Sequence, residues 1–101
     1  MGKIEPLFKI LGFAQRARKL TLGMSSTLRS LHKGKTHAVI LATDISKNTA
    51  SKIEMTIREY NVPVYIHSTK DVFGQFFGRR EVGIIGITDA SFAKSISKML
   101  K

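Results

Sequence analysis

Apolar positions follow two rhythms along the chain, one with helical spacing and one of short unbroken runs, and the two rhythms take turns. Leu7, Ile10, Leu11, Ala14 and Ala17 predict a helix from Pro6 to Arg18, with Pro6 in the first turn, where a missing N–H is harmless. Lys9, Arg16 and Lys19 lie on its other side. After a short link at Leu20–Leu22, the stretch Thr21 to Lys35 holds a second helix. Its buried stripe is Met24, Leu28 and Leu31, and Gly34 supplies a left-handed stop. "HAVILA", His37 to Ala42, is a run of β-formers typical of a central strand covered on both faces. A third helix follows, capped by Ser46 or Asn48, with Ala50, Ile53, Ile57 and Tyr60 inward and Asn61 closing it. "VPVYI" reads as a strand that tolerates Pro63 near its start. Ser68 and Asp71 have capping-box spacing for a short helix ending near Gly78. "VGIIGIT" is a further interior strand, and Asp89 caps a last helix with Phe92, Ile96 and Met99 inward.

This alternation predicts an α/β fold, a three-layer α-β-α sandwich around a small mixed, mainly parallel sheet. At 101 residues the chain reads as one domain spanning 1–101. Such a length buries roughly two-thirds of the unfolded surface, enough to fold without disulfide or metal. No repeat, linker or low-complexity tract interrupts it. The absence of cysteine excludes disulfide scaffolds, thiol nucleophiles and thiolate metal sites, and suits a reducing compartment. The longest apolar run, Ala38 to Ala42, is far short of the ~20 residues of a membrane helix. "MGKIEPLFKILGF" is charged within and too short in its apolar part for a signal peptide. The expectation is a cytoplasmic, soluble protein without a membrane partner.

Charge changes the picture from architecture to partner. The formal net charge is +10, which suits an anionic polymer. A solubility device is the plain alternative, but distribution argues against it. Residues 1–36 hold eight Lys and Arg against one acid, Glu5, whereas 37–70 carry a net +1 and 71–101 a net +2. A footprint gathered in one third of the chain is the better reading.

Catalytic and cofactor chemistry finds little support. His32, His37 and His67 lack metal-ligand spacing. No GxSxG elbow activates a serine, and the seven acids are scattered. Gly83 and Gly86 permit close helix packing, since no GxGxxG or Walker-type loop surrounds them. Neither an enzyme nor a cofactor or metal site is predicted.

The second helix is more informative. Ser25, Arg29 and Lys33 share one stripe. Ser25 and Ser26 fall in the first turn, where free N–H groups and the helix dipole favour an anion. The residues alone equally allow a phosphate seat and a solvated helix with Ser25 as its cap.

Several segments in register resemble one family. "GMSSTLRSLHKG" resembles a G-x-N-E-x-x-K segment followed by glycine, with Gly23, Arg29 and Gly34 on matching positions. "AVILATD" resembles a strand ending in alanine and aspartate, and "VPVYIHSTKDVFGQFFG" a V-P-y…S-K-x-x-L-G-x-x-x-G segment. "LGFAQRARKL" and "SKNT" resemble a bacterial branch. The chain is thus similar, over nearly all its length, to the kink-turn-binding ribosomal protein family typified by archaeal ribosomal protein L-seven-Ae.

The resemblance implies a monomeric RNA-binding domain, ribosomal or ribosome-associated. Its partner would be structured RNA, either ribosomal RNA or another kink-turn-containing RNA. The second helix would enter the widened groove beside tandem sheared G·A pairs, and the loop before the last strand would cover an unstacked nucleotide. Gly23, Met24, Ser25, Ser26, Arg29, Lys33, Asp44, Arg79, Arg80 and Glu81 are the candidate RNA-binding residues. Two departures stand out. Ser25 and Ser26 replace the family's Asn and Glu, and Arg79, Arg80 and Glu81 replace a mostly apolar triplet. Both shift the balance from base readout towards phosphate contact. A protein–protein adaptor using the same basic face on the same fold is the alternative function.

Overall fold

A computed structural model describes residues 5–100; residues 1–4 and 101 of the expected domain lie outside the described residues. The element order is α1 (Pro6–Arg16), β1 (Leu20–Leu22), α2 (Met24–His32), β2 (Ala38–Leu41), α3 (Lys47–Glu59), β3 (Val64–Ile66), α4 (Lys70–Phe77), β4 (Ile84–Ile87) and α5 (Ala90–Met99). The four strands form one sheet in the order β1-β4-β2-β3. Both central strands are buried at every position, as expected for apolar runs covered on two faces.

Two apolar clusters sandwich the sheet. One joins Leu7, Phe8 and Leu11 of α1, Phe73 and Phe77 of α4, and Ala93 and Ile96 of α5 to Ile40, Ile85 and Ile87. The other joins Leu31 of α2 and Ile53 and Ile57 of α3 to Val39, Leu41 and Ile84. The three-layer expectation therefore holds.

The sheet is mixed, but it is not mainly parallel. Only β2 and β3 pair in parallel, while β4 runs antiparallel to both β1 and β2. β1, β2 and β3 share a direction, which the alternation of elements had implied for β2 and β3 alone. The exception arises because the chain after β3 stays at one end of the sheet. Thr43 N donates to Ser68 O (2.8 Å), Val82 N to Lys70 O (3.1 Å) and Ala42 N to Gly83 O (2.9 Å). So β4 enters where β3 leaves. The link at Leu20–Leu22 is likewise a strand, with Leu20, Thr21 and Leu22 paired to Ile87, Gly86 and Ile85. Three residues are too few to show a period, and their partners lie more than 60 positions away.

Most helix ends follow the expected chemistry. Ser46 caps α3 by accepting from Thr49 N, Asp89 caps α5 by accepting from Phe92 N, and Gly34 and Asn61 are left-handed after α2 and α3. The cap of α4 is Thr69, not Ser68: Thr69 Oγ1 accepts from Val72 N at 3.2 Å. Ser68 is held at φ 60 by the Thr43 backbone and hydroxyl, both donating to its carbonyl, and a cap needs extended backbone. Tyr60 and Met99, expected inward, are 38% and 41% exposed at the last turns of their helices.

The face that α2 buries also differs from expectation. Thr27, Ser30 and Leu31 are buried, while Met24 and Leu28 only edge the second cluster. Gly86 explains this, because a Cβ there would collide with Thr21 Oγ1 and lie 3.1 Å from Thr27 Cγ2. Its absence lets α2 settle on the sheet through small polar side chains. Gly86 thus does permit close helix packing, whereas Gly83 faces Ile45 in the segment before α3. Gly86→Ala should destabilise the protein by about 1–3 kcal/mol through overpacking, measured as a lower urea midpoint with an unchanged slope.

Candidate nucleic-acid interface

The C-terminal ends of β1, β2 and β3 lie together with the start of β4. Gly23, which follows β1, donates its N–H to Ile84 O at 2.8 Å, and this bond seats the N-terminus of α2 at that end of the sheet. Gly23, at φ 94, is the N-cap and offers no side chain, so Ser25 is not the cap. The first turn of α2 holds no acidic residue. Its free N–H groups and the positive end of the dipole therefore face outward without an internal anion.

The predicted residues gather here, with differing freedom. Ser25 is exposed. Ser26 donates to Leu22 O at 2.8 Å, a bond that turns its hydroxyl back onto the chain. Met24 packs against the second cluster while remaining partly exposed. Asp44 is exposed, but its Oδ1 accepts from Lys70 N at 2.9 Å, so it anchors the start of α4. Glu81 lies 3.9 Å from Lys70 Nζ. Gly23, Met24, Lys70 and Glu81 line one hollow with Ile45 and Ser46.

The segment of Arg79, Arg80 and Glu81 is folded back onto α4. Arg79 N donates to Gly74 O at 2.8 Å. A Cβ at Gly74 would stand 2.7 Å from Arg80 O and Glu81 Cα and 2.9 Å from Arg79 O, all backbone atoms that cannot swing aside. Gly74 therefore sets the position of this loop; in the sequence it stood out only as the first glycine of the L-G-x-x-x-G pattern.

Two further hollows flank α2. Arg29, Lys33, Ser26 and Ser30 line a broad basin of ≈ 630 Å³, joined by Arg18, Lys19, Lys35 and His37. Ser25 is not among its lining residues, so the stripe facing the basin runs through Ser26. The second hollow joins Gln15, Arg18, Leu20 and Ser26 to Arg79. Sequence reading missed Arg18, Lys19, Lys35 and His37 as part of this surface. The clustering of Lys and Arg in residues 1–36 was the available signal for all but His37. Among the described residues the ion pairs are His67–Glu5 and Lys70–Glu81, so no carboxylate neutralises the cations of the basin.

The fold and the cation distribution together define a small α/β domain with one extended basic face. Residues 6–97 match the Ribosomal protein L7Ae/L30e/S12e/Gadd45 family, and the chain belongs to that family. It is 30% identical over 93 residues to the RNA-binding protein YlxQ of Bacillus subtilis (strain 168), covering 92% of this chain and 93% of the relative. It is 32% identical over 82 residues to the large ribosomal subunit protein eL30 of Dictyostelium discoideum, covering 79% and 73%. A solved structure of a protein with unknown function from Bacillus halodurans C superposes with a TM-score of 0.87 at 28% identity, covering 93% and 95%. The family is of ribosomal-protein type and not enzymatic. Among the described residues no helix is long and apolar enough to cross a membrane.

Because backbone lies against Gly74, Gly74→Ala should shift the loop despite the better helix propensity of alanine. Limited trypsin digestion should then cut at Arg79 and Arg80 several-fold faster than in the wild type. An unchanged cleavage pattern would mean that the loop is positioned otherwise.

Proposed function

We propose that this protein binds structured RNA along α2, and that its preferred target is a sharply bent, kink-turn-like duplex, as in a ribosomal or ribosome-associated particle. The observation that carries this reading is the run of uncompensated cations beside α2, with Arg79 brought round to the same helix. Bound phosphates would supply the missing negative charge, and a concave, two-sided surface fits a bent duplex better than a straight one. Relatives named as RNA-binding proteins and a ribosomal-subunit protein support the same class. Gly23, Met24, Ser25, Ser26, Arg29, Lys33, Arg79, Arg80 and Glu81 form the proposed contact surface, and Asp44 supports it by holding α4.

Titrating a kink-turn RNA and a straight duplex of equal length over a range of salt tests this. Binding should weaken with a log–log slope corresponding to roughly four to seven phosphates, and the bent RNA should be preferred at every salt concentration. A slope near zero would defeat the electrostatic account, and equal affinities would defeat the preference for bent RNA.

Arg29→Ala should cost about 1–3 kcal/mol of binding if its guanidinium reaches a base edge. Lys98→Ala, on α5, should cost little. Equal losses in fluorescence-anisotropy titrations would place the surface elsewhere.

A further inference from the structure

Arg18 has left-handed backbone, with φ 59. Its N–H donates to Gln15 O at 3.0 Å, and the next residue, Lys19, donates to Ala14 O at 2.8 Å. This closes α1 in the way that glycine usually does, at the position where a Cβ is least welcome. Two other non-glycine residues share the conformation. Asn61 is of a type that tolerates it, and Ser68 is held there by bonds from Thr43. Arg18 has neither support: among the described residues its side chain makes no hydrogen bond. Among the described residues no carboxylate pairs with it and no ring lies beneath it, whereas Arg16 lies over Phe13 at 5.0 Å. Backbone strain retained without an internal contact points to use by something external.

Position says what that is. Arg18 and Ser26 both line the basin beside Arg29 and Lys33 and the hollow that leads to Arg79. Three hydroxyls beside this junction are already engaged: Thr21 with Thr27 (2.9 Å), Ser30 with Thr36 (2.6 Å) and Ser26 with Leu22 O (2.8 Å). What distinguishes the junction is positive charge that no carboxylate among the described residues neutralises. That suits a backbone phosphate, which a guanidinium can grip with two parallel bonds. Resting on the RNA-binding reading above, we infer that Arg18 is a phosphate-binding residue at this junction, gripping a phosphate where the two strands of a bent RNA draw together. It would thereby contribute to selection of bent over straight RNA, not to affinity alone.

Arg18→Gly tests this, because fold and binding should respond oppositely. The melting temperature should equal or exceed that of the wild type, since glycine relieves the left-handed backbone. Affinity for a kink-turn RNA at fixed salt should fall about tenfold, while affinity for a straight duplex should fall no more than in Lys98→Ala. Arg18→Lys keeps the charge but not the fork, so it should hold the straight duplex and lose part of the preference for the bent one. Equal losses on both RNAs would reduce Arg18 to diffuse charge and overturn the inference. A lower melting temperature would make it a structural residue and overturn it too. Wild-type protein that prefers bent RNA, with Arg18→Gly preferring it as strongly, would sink this inference alone. Wild-type protein that binds neither RNA would sink the RNA reading and this inference with it.

Discussion

How closely α2 can approach the sheet governs the rest of the basic face. The missing Cβ at Gly86 leaves room for Thr27, and the Thr21–Thr27 and Ser30–Thr36 hydrogen bonds satisfy the hydroxyls that this approach buries. Left unpaired, each such group would cost about 1–3 kcal/mol. No buried side-chain nitrogen or oxygen among the described residues lacks a partner. With Thr27, Ser30 and Leu31 turned down, Ser26, Arg29 and Lys33 are turned onto the flank that forms the basin. A seat made of polar contacts thus decides which cations face outward together.

Gathering those cations carries a cost, because like charges within a Debye length of about 8–10 Å repel one another. Part of it is offset within α2, whose last turn places Arg29 and His32 at the negative end of the dipole. The opposite end, capped by Gly23 alone, keeps its positive potential. The helix therefore presents an attractive potential to an anion along its whole length of roughly 14 Å. A polyanion that neutralises it relieves the repulsion, which links the binding reading to the stability of the domain.

The reversed direction of β4 has a comparable consequence at the end of the sheet. It brings the 79–83 segment to the side where β1, β2 and β3 end, so that the turn at Gly23, the segment around Asp44, the start of α4 and the loop at Arg79 converge. In a mainly parallel sheet β4 would begin at the other end, and Arg79 would stand far from the first turn of α2. Asp44 illustrates the difference between proximity and availability. It lies at this convergence as the family resemblance implies, yet its carboxylate is committed to Lys70 N.

What was legible from the sequence rests on near-neighbour physics. Helix periodicity, the caps at Ser46 and Asp89, the left-handed stops at Gly34 and Asn61, and the apolar runs of β2 and β4 are each set by residues a few positions apart. The clustering of cations in the first third was equally plain. Tertiary structure alone decided what depends on distant partners. The strand character of Leu20–Leu22 comes from hydrogen bonds to Ile85–Ile87, and the direction of β4 from where the chain beyond β3 is tethered. The face that α2 buries follows from a Cβ missing about 60 residues further along, and Gly74 matters only because a loop folds back onto it. Arg18, Lys35 and His37 join Arg29 at one basin because α1 ends, α2 lies and β2 begins side by side. Short-range order can be read from spacing, but which side chains share a surface is settled only when separate segments compete for the same space.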